Sequence, residues 1–418
     1  MDKFVINGGN RLSGQITVGG AKNAVLPIMA ASLLSSREIV LEEVPDLLDV
    51  KVMSQVVAAL GGRVERQDKK LIITVRQIDN IEAPFDLITK MRASIVIMGP
   101  VLARRGRVRI SHPGGCAIGS RPVNWHLKGL EALGAEIKID RGFLDVTAPH
   151  LKGARIYLDF PSVGATENIL MAAAAAEGTT VIENAAQEPE IVDLANFINQ
   201  MGGKIRGAGT NIINIEGVKE FGGTRHAIIP DRIEAGTYLL IAAACGGEVL
   251  VNNVIHAHLA PLLAKLDEAG VYYREEDDGI RVFGKGHYQA VDIKTQVHPG
   301  FPTDLQAPFL ALLARAQGTA IVTENIFENR FMHVEELKRM GADLKVEGRS
   351  VLVQGVNSLN PAALVASDLR AGAALILAAL TAKGRSEIRG ISHIDRGYEK
   401  IEVKLRGIGA DIERVEDL

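Results

Sequence analysis

Residues 133–140 read LGAEIKID, and five further stretches share that plan: LGGRVERQ (60–67), MGGKIRGA (201–208), AGVYYREE (269–276), MGADLKVE (340–347) and IGADIERV (408–415). Each closes an amphipathic helix, places one glycine and opens a strand. The landmark glycines Gly61, Gly134, Gly202, Gly270, Gly341 and Gly409 recur 68 to 73 residues apart. Glycine at a helix end fits a left-handed stop, which a residue with a Cβ adopts only at a cost. Six copies of one supersecondary unit therefore run along the chain.

Working outward from the glycines, each unit opens with a second kind of helix. ATENILMAAAAAEG, GTYLLIAAACGG and LRAGAALILAALTAKG are apolar on nearly every face, so they are expected to be buried all round. Helices such as EIVDLANFINQMGG are amphipathic and are expected to cover a surface. Short alternating strands follow: VRIS, LIITV, IINIEG, IRVFG and VLVQG. The fold class expected is α/β, built from six βαβαββ-like units with helices inside and sheets outside, three units to a domain. The sixth unit ends at DIERVEDL without the strand that the others place next. The start of the chain, KFVINGG, resembles SVLVQG and NIINIEG and supplies it. One domain is then expected over 22–229, and the other over 230–418 together with 1–21. Chain crossings near Gly20 and Pro230 would act as the hinge.

At 418 residues the chain is too long for one core. A net charge of −3 and 4% aromatics leave neither the basic surface nor the stacking platforms that nucleic acid needs. Two cysteines cannot staple a chain of this size, so a reducing cytoplasm is expected. MDKFVINGGN lacks a signal pattern, and the longest apolar runs stop short of a membrane span.

The polar residues then fall into register. At or just before each apolar helix stands Lys22, Arg92, Ser162, Arg232, Asp304 or Arg370, 66 to 72 residues apart. Helix N-termini attract anions, and a cation there is the wrong sign for capping. An anionic ligand is the expected beneficiary. A second set precedes the amphipathic helices: Cys116 and Arg121, then Glu188 and Glu190, then Arg330, then Arg396. If the two domains face each other by these ends, Lys22, Arg92 and Arg121 meet Arg330, Arg370 and Arg396 in a cleft suited to phosphates and a carboxylate. Cys116 lies among glycines beside a cation, which favours its thiolate. Cys245, inside an apolar helix, reads as a small buried hydrophobe.

GAKNA (20–24), PGGCAIGSRP, SVGAT, FPTD, ENRFMH and HIDRGYE, in this order across the whole chain, resemble the UDP-N-acetylglucosamine enolpyruvyl transferase family of bacterial peptidoglycan synthesis. That resemblance implies a pair of inverted α/β barrels. It also implies transfer of the enolpyruvyl group of phosphoenolpyruvate to the 3′-hydroxyl of UDP-N-acetylglucosamine through a tetrahedral ketal, with loss of phosphate and no metal or organic cofactor. By resemblance, Cys116 is the proton donor and Asp304 the base. Lys22, Arg121 and Arg396 surround the phosphate, and Arg330 and Arg370 supply the remaining cations. Asn23, Arg92, Arg121, Pro122, Val123, Asn124, Trp125, Ser162, Val163, Gly164, Asp304 and Ile326 match positions that hold the sugar nucleotide. The chain departs from the family pattern at Asn124, Trp125 and Phe160, positions that bear on the uridine and diphosphate contacts.

Three other readings remain at this stage. A shikimate 3-phosphate enolpyruvyl transferase would share the fold and many cations, but lacks the glycine–cysteine loop. A regulatory paralogue that only binds the sugar nucleotide could have lost Cys116, Asp304, Lys22 and Arg396. A six-unit DNA clamp would need basic central helices, whereas these are apolar.

Overall fold

The computed structural model describes residues 2–111 and 123–416; the side chain of Arg92 also lies outside that description. All six landmark glycines have positive φ, between 74° and 106°. The helix stop read from the sequence is therefore the conformation the backbone adopts.

Six small sheets are found. Five share one four-stranded plan: an edge strand runs parallel to its neighbour, and the other two pairings are antiparallel. In the remaining sheet, strands Arg107–Ser111, Glu136–Asp140 and Phe143–Thr147 are antiparallel, and the parallel edge shrinks to one bridge between Glu82 and Arg109. Strands such as Ile212–Glu216 alternate buried and exposed residues, as a sheet with one wet face must.

The first strand, Asp2–Gly8, lies between Gly384–Arg389 and Asp411–Glu416, antiparallel to both. The second, Leu12–Thr17, runs parallel to Gly247–Asn252. The N-terminal segment thus completes the sheets of the last and the fourth unit.

The chain forms two compact units, one within residues 20–229 and the other from residues 2–19 with 230–416. Each has its own apolar core. Helices Lys22–Ala31, Met98–Arg105 and Val163–Ala173 lie in the first core; Arg232–Cys245, Gln306–Leu313 and Leu369–Thr381 lie in the second. Every residue from Ile233 to Ala244 and from Arg370 to Thr381 is buried. Glycines let 3₁₀ segments approach these helices closely: a Cβ on Gly236 would stand 2.6 Å from Leu305, and one on Gly372 2.4 Å from Ile394.

Two of the apolar helices start later than their sequence pattern suggests. Arg92–Ile97 and Thr303–Leu305 are 3₁₀ segments, and the α-helices begin at Met98 and Gln306. Pro100 and Pro308 are each the third α-helical residue, where a missing N–H is tolerated.

Candidate functional site

Three of the expected site residues meet in the unit that contains residues 230–416. Asp304 sits in the 3₁₀ turn Thr303–Leu305, Arg330 precedes the helix His333–Arg339, and Arg370 is the second residue of Leu369–Thr381. Asp304 Oδ1 accepts from Arg330 Nη2 at 2.7 Å, and Oδ2 accepts from Arg370 Nη2 at 2.8 Å. The guanidinium groups are nearly enclosed, with 6% and 4% of their side chains exposed, against 25% for Asp304. Burial alone would raise the Asp304 pKa. The charges of Arg370 and Arg330 outweigh it and hold the carboxyl well below the usual range.

A wider frame holds this clamp. Arg370 Nη1 donates to the Tyr398 hydroxyl at 3.2 Å, which pairs in turn with Thr237 Oγ1 at 2.9 Å. Arg330 Nη1 donates to Thr303 Oγ1 at 2.8 Å. Thr303 donates to Glu324, a carboxylate with no exposed surface. Ile326 also donates its backbone N–H to Glu324, at 2.8 Å. Arg396 ends the 3₁₀ helix Ile391–Arg396; the preceding Asp395 accepts from both Nη atoms of Arg414, at 3.0 and 2.5 Å.

In the other unit, Lys22 is the first residue of its helix and its Nζ lies 2.8 Å from Asp49 Oδ2. Asn23 follows it. Arg92 opens the 3₁₀ segment before Met98. Ser162 caps Val163–Ala173 by accepting from the Ala165 N–H, with Val163 and Gly164 as the first helical residues. Val123 precedes Asn124–Ala132, which Asn124 and Trp125 begin. The Trp125 ring stacks on Phe160 with centroids 5.4 Å apart and planes 21° apart, so two of the departing positions form one aromatic surface. Cys116, Arg121 and Pro122 lie outside the described residues.

The cations at the helix starts also have protein partners, and carboxylates do the capping that the cations do not. Asp231, immediately before Arg232, and Asp368, two residues before Arg370, each accept two backbone N–H bonds and cap their helices. Lys22 and Arg370 have protein carboxylates beside them. Burying a guanidinium or ammonium group requires such pairing: Lys22 has Asp49, while Arg330 and Arg370 share the single carboxylate of Asp304. The sequence reading missed Asp49, Asp231, Glu324, Asp368 and Tyr398. For Asp231 and Asp368 a signal existed, since Asp is a preferred N-cap residue.

Other polar residues are buried within residues 20–229. Asn168 Oδ1 accepts from Gly99 N at 2.6 Å, while its Nδ2 donates to Ile95 O at 3.0 Å and lies 2.9 Å from His126 Nδ1. Burial, reinforced by Glu190 and Glu188, raises the Glu167 carboxyl well above the usual range. Among the described residues no cluster of three or more His, Cys, Asp or Glu has the geometry to hold a metal ion, and no helix is long and apolar enough to cross a membrane.

With this geometry in place, the chain can be compared with known proteins. Residues 6–405 match the family described as EPSP synthase (3-phosphoshikimate 1-carboxyvinyltransferase). UDP-N-acetylglucosamine 1-carboxyvinyltransferase 2 of Carboxydothermus hydrogenoformans is 57% identical over all of both chains. UDP-N-acetylglucosamine 1-carboxyvinyltransferase 1 of Caldanaerobacter subterraneus subsp. tengcongensis is 57% identical over 99% of each. Among solved structures, the enolpyruvyl transferase NikO from Streptomyces tendae superposes with a TM-score of 0.91 at 26% identity, covering 100% of this chain and 99% of that one. An EPSP synthase from Acinetobacter baumannii shares the fold at 0.75 and 18% identity, over all of both chains.

Proposed function

We propose a reaction on the premise that this chain belongs to the EPSP synthase family and is a carboxyvinyl (enolpyruvyl) transferase. Its donor is phosphoenolpyruvate and its acceptor the 3′-hydroxyl of UDP-N-acetylglucosamine. The observation that carries this choice is the 57% identity, over the full length of both chains, to a relative named for that acceptor. The product is a precursor for peptidoglycan, made in the cytoplasm.

Lys22, Arg121 and Arg396 neutralise the phosphate of phosphoenolpyruvate, and Arg330 and Arg370 supply fixed positive charge to its reacting end. Asn23, Arg92, Pro122, Val123, Asn124, Trp125, Ser162, Val163, Gly164 and Ile326 hold the sugar nucleotide. Cys116 gives its proton to the methylene carbon. As that C–H bond forms, positive charge develops on the neighbouring carbon, and the sugar hydroxyl adds there. The hydroxyl becomes strongly acidic as its new C–O bond forms. A weak base therefore suffices to take the proton, which suits an Asp304 carboxylate held between two arginines. The tetrahedral ketal then loses phosphate. The methyl carbon returns its proton to the Cys116 sulfur, and the double bond is restored.

Phosphate release from phosphoenolpyruvate is the deciding assay, with UDP-N-acetylglucosamine and shikimate 3-phosphate as alternative acceptors. Release with the sugar nucleotide, and a carboxyvinyl group found on it by mass spectrometry, is the expected result. Release only with shikimate 3-phosphate, or with neither acceptor, overturns the reading. The family resemblance adds that fosfomycin, a phosphonate epoxide, alkylates the Cys116 thiol. One adduct is expected there and none on Cys245, whose thiol is pushed up to about 12 by burial.

A further inference from the structure

Glu324 follows the strand Thr319–Thr323 and has no exposed surface. A buried carboxylate is costly unless its oxygens are satisfied. The four donors recorded here are all neutral. Oε1 accepts from the Thr295 hydroxyl at 2.9 Å, from Ile326 N at 2.8 Å and from Phe327 N at 3.1 Å. Oε2 accepts from the Thr303 hydroxyl at 2.9 Å.

The Thr303 bond has a chemical consequence. A hydroxyl that donates to a carboxylate must turn its lone pairs the other way. Those lone pairs receive Arg330 Nη1 at 2.8 Å, and the same guanidinium reaches Asp304 through Nη2 at 2.7 Å. Negative charge on Glu324 thus sets the direction of the Thr303 hydroxyl, which sets the plane of Arg330, which orients one oxygen of Asp304. Through its second oxygen, Glu324 also fixes the backbone of Ile326.

We propose that Glu324 is a positioning residue for the transfer reaction, acting through the Thr303 hydroxyl to hold Arg330 and Asp304 in reacting geometry. The proposal rests on the reaction assigned above.

In Glu324→Gln, one oxygen can still serve the three donors at Oε1. The amide nitrogen then faces Thr303 and donates to it, so the hydroxyl reverses. Thr303→Val removes the relay alone and leaves the other three bonds of Glu324 intact; Thr303→Ser keeps it. Both Glu324→Gln and Thr303→Val are expected to lower kcat by about ten- to a hundredfold, the scale of a misplaced reacting group. KM for either substrate should change by less than about threefold, and Thr303→Ser should retain near wild-type turnover. In the Thr303→Val background, Glu324→Gln should add no further loss of kcat, because both changes break one chain of bonds. Wild-type kcat in Thr303→Val, or losses that multiply in the double variant, would overturn the proposal.

Nitrogen-15 NMR of the Arg330 guanidinium supplies a readout without substrate. Its Nη protons should exchange with water about tenfold faster in both single variants than in the wild type, the scale of one lost charged hydrogen bond. Unchanged exchange rejects the relay. If the wild type transfers to neither acceptor, the assigned reaction fails, while the exchange measurement still decides the relay.

Discussion

His333 shows how a single side chain near the clamp can make the protein acid-sensitive. Only 2% of it is exposed, and its Nε2 has no hydrogen-bond partner. Burial drives its pKa down to about 4; Asp368 opposes this, and Arg330 adds to it. An unfolded chain restores a value near 6.5. Between those values the unfolded chain binds the extra proton, so stability is lost as the pH falls from about 6.5 towards 4. The full span is worth up to about 3 kcal/mol. In His333→Leu, which cannot titrate, the melting temperature should fall less between pH 7 and pH 5 than in the wild type. Parallel pH profiles for the two proteins would show that His333 is not the sensor. Asp304 acts in the same direction at lower pH, because its carboxyl is held below the ordinary range in the folded state.

At the scale of elements, the six helix-ending glycines separate two causes of glycine preference. At Gly270, φ is 74° and nothing lies within 4 Å of where a Cβ would stand. Only backbone strain opposes alanine there, and Gly270→Ala should cost about 1–2 kcal/mol in equilibrium unfolding. At Gly61, φ is 106° and a Cβ would also stand 2.6 Å from Asp79 Oδ2 and 3.0 Å from its backbone nitrogen. Gly61→Ala should therefore cost more than Gly270→Ala. Equal costs would mean that the Asp79 segment yields freely. The buried helices follow a different rule. Three of the six begin at a side-chain cap, Ser162, Asp231 or Asp368, and the clamp arginine Arg370 lies within the first turn after such a cap.

Across the whole molecule, the N-terminal segment has the largest consequence for folding. Phe4 and Ile6 are fully buried, and their strand is central in its sheet, with partners on both sides. A fragment of residues 230–418 would expose three strand edges and a core face, and should show no cooperative unfolding transition. Joining residues 1–19 after residue 418 through a flexible linker should restore one, since it supplies the same strands in a new chain order. A cooperative transition in the bare fragment would show that the last sheet closes without Asp2–Gly8.

The sequence by itself determined the six-fold repeat, the left-handed helix stops, the wholly buried helices, and the kinship of KFVINGG with the strands it joins. These follow from local rules: backbone sterics at glycine, and the period at which apolar residues recur. It also picked out Asp304, Arg330 and Arg370 as polar residues at recurring places in the unit. Only the tertiary structure decided that Asp304 lies between those two arginines, that Lys22 has Asp49 beside it, and that Glu324 governs the Thr303 hydroxyl. Each of these contacts joins residues 21 or more positions apart in the chain. Repeat spacing places a charge on a helix end but carries no information on which opposite charge will be buried against it. That choice is made when the core closes and water is withdrawn, because each buried ion must then find a partner inside the protein.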